Sequence, residues 1–424
     1  MQLMSFVARF RGLTWVSVEA VIWTLCFLIP SFLLTIKGVT NTFFLVFFLL
    51  SLWYLFNKPK FYFCKRGKVF WINFGLLMAP FFCELGVQIL RGSIEWSSVD
   101  GPSRFLAASF IFVYLSRNWK HIFFQAFAYG SAVSIVITLL LCNLQTEYWW
   151  DHGKRLASHF VDPLTMSCFV VFLAVPAAIG IQVNSTKLNL LIKTLVWTCV
   201  AVIVGQTESR SAWVPFFLFT LFVIFSCKST VREKFFLGLV IGCLTVLFCI
   251  IFGPSLLERA EMIYRDFVLW RDDSYSSTSF GGRLALLELD ISLIRMSPFL
   301  GWPDGVLPEY SILNSFYPHL TPYLYDLKLQ ASSHTEITQK LVSMGLVFGS
   351  ISFLATFILP ITLFYRRLLC EDPNGQIISR TALIAFSTLF VSSMSIQVIN
   401  LKMTSTIVAF SLALFLSALL RPAR

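Results

Sequence analysis

Apolar runs with short polar interruptions recur along the whole chain, and their lengths indicate membrane-spanning helices. A helix that crosses a bilayer needs roughly 20 mostly apolar residues, so the pattern predicts about twelve spans. The predicted spans lie near residues 17–36, 41–56, 69–90, 104–116, 122–143, 161–182, 189–205, 211–226, 235–252, 337–365, 379–397 and 403–420. The run 104–116 gives the weakest signal, because it crosses a bilayer only if it extends into its flanks.

A segment of a different kind, residues 253–333, lies between the ninth and tenth spans. Connections of this length in a compact architecture are usually functional or disordered. The aromatic content of this one favours order, and the stretch RLALLELDISLIR that begins at Arg283 places apolar residues at helical spacing. We therefore expect an all-α integral membrane protein in three parts: spans one to nine in 1–252, a large ordered loop of short helices in 253–336, and spans ten to twelve in 337–424.

Composition and charge support the membrane assignment and suggest a sidedness. Hydrophobic residues make up 57% of the 424 residues and charged residues 13%, which excludes a soluble globular domain and a disordered chain. With the N-terminus in the cytoplasm, most basic residues of the loops fall on the cytoplasmic side and most acidic residues on the other side. This bias accounts for the formal net charge of +11 without a nucleic-acid partner. It predicts both termini in the cytoplasm and the large loop on the outer, periplasmic face.

Three polar segments at the outer ends of predicted spans carry the candidate chemistry, because ionisable groups near membrane depth are costly and tend to mark function. They are GQTESRSAW around Arg210, SSTSFGGR ending at Arg283, and SSHTE around His334. Two guanidinium groups near helix starts suit an oxyanion, and a histidine beside Glu336 suits a general base. Each segment also has a structural reading: Glu208 and Arg210 as a helix-end pair, the glycine-rich stretch as an ordinary loop, and the histidine as a structural residue.

Weaker candidates lie elsewhere along the chain. Lys154 and Arg155 end the stretch YWWDHGKR, which suits sugar stacking and phosphate binding but is equally typical of an interfacial tryptophan belt. Lys402, between the last two spans, suits an anionic ligand or simply extends to the interface. Glu84, within the third span, suits a buried cation partner or a helix-packing hydrogen bond. We find neither a P-loop nor an outward cluster with metal-ligand spacing, so we expect no ATP-driven pump, no metal and no other cofactor.

In three stretches the chain resembles the bacterial O-antigen ligase family. They are GQTESRSAW, SFGGRLALLELDISLIRMSPFLGWPDG and SSHTEITQKLVSMGLVFG, and their order, spacing and predicted sidedness are also similar to those of the family. One departure is Thr335, where many relatives have Asn after the histidine. Related polysaccharide polymerases share the same three stretches, so the resemblance separates ligase from polymerase poorly.

The resemblance implies a glycosyltransferase of lipopolysaccharide biosynthesis at the periplasmic face of the bacterial inner membrane. The implied donor is a glycan on undecaprenyl pyrophosphate, and the implied acceptor is a sugar hydroxyl of the lipid A core. Both carry lipid tails and reach the site through the membrane lipids. The reaction would be an inverting, metal-independent displacement in which Arg210 and Arg283 stabilise the pyrophosphate and His334 is the general base. Glu208 or Glu336 would orient the base. The remaining residues expected to bind substrate are Lys154, Arg155 and Lys402.

Two alternatives stay open at this point. A polymerase would transfer the same carrier-linked glycan to a second carrier-linked glycan. A transporter of lipid-linked glycans would use Glu84, Glu208 and Lys402 as a translocation path and would form no glycosidic bond.

Overall fold

The computed structural model is 85% helical over the residues that it describes. It describes residues 15–59, 67–144, 150–151, 155–158, 160–183, 185–225, 231–272, 279–317, 320–330, 335–369, 373–399 and 401–420. The helices are α1 (Trp15–Ser31), α2 (Val39–Asn57), α3 (Lys68–Arg91), α4 (Trp96–Asn118), α5 (His121–Leu144), α6 (Pro163–Val175), α7 (Thr186–Thr207), α8 (Trp213–Phe225), α9 (Val231–Asp272), α10 (Ser279–Met296), α11 (Tyr310–Phe316), α12 (Pro322–Gln330), α13 (Glu336–Phe353), α14 (Leu359–Leu368), α15 (Pro373–Ser393) and α16 (Lys402–Leu419).

Short elements complete the architecture. Two strands of two residues each, β1 (Trp150–Asp151) and β2 (Arg155–Leu156), pair in antiparallel fashion. A π-helical turn, Pro176–Gly180, continues α6, and a second, Leu354–Ile358, joins α13 to α14. A single 3₁₀ turn, Arg210–Ala212, precedes α8.

The helices confirm the predicted fold class, an all-α integral membrane protein. Each predicted span overlaps a helix of the structure. Within the described ranges, nine helical segments are long and apolar enough to cross a membrane, and Val18–Ser31 and Arg210–Phe225 are shorter apolar helices. Helix α4 has 23 residues but is more polar, with Asp100 and Arg104 in its first half, and this explains the weak signal of the run 104–116. The total of twelve spans stays a prediction.

Two helices form the centre of the bundle, and others face outward. In the apolar windows of α16 and of α6 with its π turn, 89% of the residues are buried, whereas the figure for the apolar part of α9 is 11%. A helix that is hydrophobic all round belongs in a protein interior or in lipid. Phe127 of α5 packs with its ring centroid 5.9 Å from those of both Phe410 and Phe415 of α16. Close ring packing of this kind holds the central helix in place.

Helix α9 does not end where the ninth predicted span ends. The apolar run stops near residue 252, but the helix continues to Asp272, through Pro254. The sequence beyond the proline, LLERAEM, is rich in good helix formers. The change of polarity at residue 252 therefore ends the apolar surface and not the helix.

Helices α10, α11 and α12 share a second, smaller hydrophobic core. Its members include Leu286, Leu289 and Leu293 of α10, Leu313 of α11, Leu324 of α12 and Val342 of α13. A buried ion pair joins two of these helices: Lys328 Nζ lies 2.6 Å from Asp290 Oδ1, and both side chains are at most 4% exposed. The amphipathic helix predicted over residues 283–295 is thus present as part of α10.

Helix α13 is broken at Gly345, inside the tenth predicted span. Gly345 has φ 73° and ψ 176°, outside the helical region. The two halves of α13 fold back closely, since a Cβ atom at Gly349 would lie 2.4 Å from the carbonyl oxygen of Lys340. The expectation of one continuous helix over 337–365 was wrong, because a run of apolar residues contains no signal for this break.

The chain between α10 and α11 occupies this break. A continuous helix would pair the Val342 carbonyl with the Leu346 N–H. Here the Leu346 N–H donates to the Pro298 carbonyl at 2.7 Å, and the Trp302 N–H donates to the Val342 carbonyl at 2.7 Å. Backbone hydrogen bonds therefore join α13, on both sides of Gly345, to the chain that follows α10.

Substitution of Gly345 tests whether the break is obligatory. A Cβ atom at this position would lie 2.3 Å from the Phe299 carbonyl oxygen, and φ 73° is itself strained for an alanine. We expect Gly345→Ala to lower the free energy of unfolding by more than about 2 kcal/mol. Thermal unfolding of the detergent-solubilised protein, followed by size-exclusion chromatography, measures the change.

Gly75→Ala is the matched control, because a Cβ atom at Gly75 meets nothing within 4 Å. This variant should unfold at or slightly above the temperature of the native protein, since alanine is the better helix former. Equal stability of the Gly345 and Gly75 variants would contradict the described break.

Candidate functional site

Arg210 lies in a tight reversal between α7 and α8. Helix α7 ends at Thr207, and Glu208 adopts a left-handed conformation with φ 48°, the only positive φ of a non-glycine residue in the described ranges. Such a conformation costs of order 1–3 kcal/mol and is found preferentially at functional sites. Ser209 is extended, and the 3₁₀ turn that starts at Arg210 leads directly into α8. The reversal brings the Glu208 carboxylate and the Arg210 guanidinium to the ends of two apolar helices.

Neighbouring side chains hold this reversal. Arg155 Nε donates to the Thr207 carbonyl at 3.1 Å, which places a cation on the C-terminal end of α7. The hydroxyls of Ser209 and Ser211 are 2.7 Å apart, and Ser211 Oγ lies 3.9 Å from Cys168 Sγ of α6. The structure thus brings Arg155 to the same turn as Arg210. Lys154 lies outside the described residues.

Arg283 lies in the second turn of α10 and is half-buried. Burial lowers the pKa of its guanidinium from the usual value, and that usual value is so high that the group stays charged at neutral pH. Among the described residues, no carboxylate lies within 4.0 Å of this guanidinium. A partly desolvated cation attracts an anion more strongly than the same cation does in water.

The start of α13 is fixed by two side chains that directly follow His334. Thr335 is the N-cap: its hydroxyl accepts a hydrogen bond from the Thr338 N–H at 3.2 Å. Asn is an equally good N-cap, which gives the departure from the family pattern at this position a physical explanation. His334 itself lies outside the described residues.

Glu336 binds backbone at a distant turn. One carboxylate oxygen accepts from the Ile399 N–H at 3.0 Å, and the other lies 3.9 Å from Lys340 Nζ. Ile399 belongs to the turn between α15 and α16, and Glu336 is only 3% exposed. This geometry supports a role of the carboxylate in holding α13 against that turn, alongside the expected role in orienting His334.

Lys402 lies at the start of α16 in an ion pair with α4. Its Nζ is 2.9 Å from one oxygen of Asp100, whose other oxygen accepts from Arg104 Nη2 at 2.8 Å. The Lys402 side chain is 71% exposed, so the pair contributes little to stability. A structural ion pair is a reading of Lys402 that the sequence pattern alone did not indicate.

Packing between helices connects the elements that carry Arg210, Arg283 and Glu336. Cys168, which contacts Ser211 beside Arg210, lies on α6, and α6 packs against α15. The turn that follows α15 supplies the Ile399 N–H to Glu336. Helix α10, which carries Arg283, packs against α13. The Arg210 reversal and the start of α13 therefore border the same end of the bundle.

Sequence reasoning gave too little weight to a polar cluster at the end of α3. The Arg91 guanidinium donates to the carbonyls of Leu300 and Ser343, at the break of α13. Gln88 Nε2 donates to Glu84 Oε1 at 2.7 Å, so Glu84 makes a helix-packing hydrogen bond. These side chains line a cavity of about 20 Å³, which has room for roughly one water. The end of α3 reaches the break of α13 only in the folded structure, so no pattern within a short stretch of sequence predicts this cluster.

Among the described residues, no group of three or more His, Cys, Asp or Glu side chains is arranged to hold a metal ion. The geometry offers one guanidinium group directly before α8 and one near the start of α10, which packs against α13.

These features define a multi-pass membrane protein with a helical layer bonded into a broken helix. Residues 194–354 match the family model described as O-antigen ligase, and this match supports membership of the O-antigen ligase family. The match covers well under half of the chain but includes Arg210, Arg283 and His334. The family contains both O-antigen ligases and polymerases. No curated protein matches the chain at a significant level.

Replacement of Glu336 separates its two roles. Glu336→Ala removes the acceptor of the buried Ile399 N–H and should lower the free energy of unfolding by about 1–3 kcal/mol. Glu336→Gln keeps an oxygen acceptor and should cost less. Thermal unfolding of both variants in detergent checks the order of stabilities.

A different result would show that the Glu336 carboxylate takes part in the reaction. If the Gln variant unfolds like the native protein but has lost glycan transfer, the negative charge acts on the reaction, and the packing role is secondary.

Proposed function

We propose that the protein joins an O-polysaccharide, carried on undecaprenyl pyrophosphate, to a sugar hydroxyl of the lipid A core. The family match makes it an O-antigen ligase or polymerase type of membrane enzyme. The proposal adds the ligase reaction, the periplasmic face of the inner membrane as its place, and both termini in the cytoplasm. The observation that carries the proposal is the half-buried Arg283 on a helix packed against α13, whose N-cap immediately follows His334.

The leaving group sets the role of the arginines. When the bond from the anomeric carbon to the pyrophosphate oxygen breaks, negative charge grows on the pyrophosphate. Guanidinium groups that bind this charge more strongly in the transition state than in the ground state lower the barrier. We assign Arg210 and Arg283 to this role, because a guanidinium binds phosphate oxygens in bidentate fashion.

The acceptor sets the role of His334. A sugar hydroxyl is a weak nucleophile until its proton is removed, and a neutral imidazole removes it. His334 directly precedes the N-cap of α13 in the sequence, and we assign it the role of general base.

The proposed transfer step needs no metal ion. The acceptor oxygen attacks the anomeric carbon from the face opposite the pyrophosphate, the new glycosidic bond forms with inversion, and the hydroxyl proton passes to His334. Undecaprenyl pyrophosphate leaves with the electron pair. Arg155 and Glu208 position the Arg210 reversal in this scheme. Lys154 and Lys402 remain candidate contacts to the anionic parts of the substrates.

A polymerase is the second candidate, and the family match favours it equally at the level of chemistry. Only the acceptor differs, because a polymerase transfers the glycan to another carrier-linked glycan. The donor, the leaving group and the roles of the three residues are the same.

Substitution of the three residues in the purified enzyme tests the mechanism. With a carrier-linked glycan as donor and lipid A core as acceptor, Arg210→Ala and Arg283→Ala should each lower the rate by about 10²–10³-fold, as loss of a positioned donor does. His334→Ala should lower it by about 10²–10⁴-fold. Gel separation of the ligated product measures the rates.

Arg295→Ala is the matched control, because Arg295 is an exposed arginine on the same helix as Arg283. It should keep the native rate. Product formed only with a second carrier-linked glycan would assign the polymerase. Transport of the lipid-linked glycan with no bond formed to any acceptor would exclude both transferases.

A further inference from the structure

A cleft of about 210 Å³ lies between the turn that follows α10 and the facing ends of α12 and α13. Its walls include Trp302, Asp304, Lys328, Leu329 and Gln339. A single water molecule needs a cavity volume of roughly 10–15 Å³, measured in the same way. The cleft therefore has room for a sugar ring, whereas the cavity beside Arg91 has room for about one water.

Hydrogen bonds hold the walls of this cleft. Gln339 Nε2 donates to Asp304 Oδ1 at 2.6 Å, which joins α13 to the turn. The indole Nε1 of Trp302 donates to the Leu293 carbonyl at 3.0 Å, and its backbone N–H is bonded at the break of α13. The ammonium of Lys328 is paired with buried Asp290. Side chains that are already fixed lose little conformational entropy when a ligand binds.

Residues that flank the segment of the proposed general base on both sides in the sequence line the cleft. Leu329, at the end of α12, is five residues before His334, and Gln339, in the first turn of α13, is five residues after it. Both line the cleft. A general base must lie within hydrogen-bond reach of the hydroxyl whose proton it removes, so the acceptor sugar has to bind beside this segment.

We propose that this cleft binds the acceptor sugar, an uncharged ring with neighbouring hydroxyl groups; the inference rests on the proposed function. A carboxylate offers about four acceptor positions, and the Gln339 amide uses one position of Asp304. The exposed Asp304 thus accepts hydrogen bonds from sugar hydroxyls, and Trp302 supplies apolar surface for the ring.

Direct binding tests the inference without the reaction. Delipidated core oligosaccharide is titrated calorimetrically into the full-length detergent-solubilised protein in the absence of donor. Asp304→Asn and Gln339→Ala should each weaken binding about tenfold, the effect of losing one hydrogen bond to the ligand. In the transfer assay the same variants should raise the KM for the acceptor and leave kcat at saturating acceptor nearly unchanged.

Glu309→Gln is the control, since Glu309 is an exposed carboxylate in the same layer and does not line the cleft. It should bind the oligosaccharide like the native protein. Unchanged affinity of both cleft variants, or no binding by the native protein, would overturn the inference while transfer activity remained. If the oligosaccharide binds and the cleft variants weaken it, but no glycosidic bond is formed, the proposed function fails and the sugar site stands.

Discussion

The exchange of backbone hydrogen bonds at Gly345 is the constraint on which the arrangement of the candidate site depends. In a membrane protein, backbone polar groups away from water must find partners, and a helix normally supplies them internally. Here α13 gives up the pairing of Val342 with Leu346, and the chain after α10 satisfies both groups. Without the other, α13 and the chain after α10 would each leave a backbone group without its hydrogen bond. The helical layer of α10 to α12 is therefore attached by bonds that the broken helix needs for its own stability.

The same constraint links the N-terminal half of the chain to the segment that matches the family. Arg91 of α3 lies outside residues 194–354, yet its guanidinium binds the Ser343 carbonyl beside the break and the Leu300 carbonyl in the chain that follows α10. Asp100 of α4 holds Lys402 at the start of α16 in a similar way, although exposure makes that pair weak. The buried Lys328–Asp290 pair acts within the layer, where loss of one partner would leave a charge without compensation. The positions of α10 and α13 thus depend on Arg91, outside the matched segment, and on a buried ion pair within the layer.

The sequence predicted the fold class, the positions of most apolar helices and the helix at Arg283, because these follow from local periodicity and hydropathy. In the sequence, Gly345 is one more residue of an apolar run. Its positive φ accompanies the close approach of Phe299 and Pro298, which are more than 40 residues away in the chain. The extension of α9 to Asp272 was missed for the opposite reason, since helix propensity continued after hydropathy had fallen. The bond from Arg155 to Thr207 and the bond from Ile399 to Glu336 join residues 52 and 63 positions apart. Such pairings give Arg155 and Glu336 positioning roles that residue type alone did not suggest.

The most direct measurement of the central claim is an electron cryo-microscopy structure of the protein in a lipid nanodisc with undecaprenyl pyrophosphate. The account predicts pyrophosphate oxygens about 2.7–2.9 Å from the guanidinium groups of both Arg210 and Arg283, the distance of charge-assisted hydrogen bonds. It also predicts that the His334 imidazole faces the pyrophosphate from the side on which the cleft of Asp304 opens. Pyrophosphate bound away from both arginines, or arginines too far apart to contact one pyrophosphate, would contradict the account.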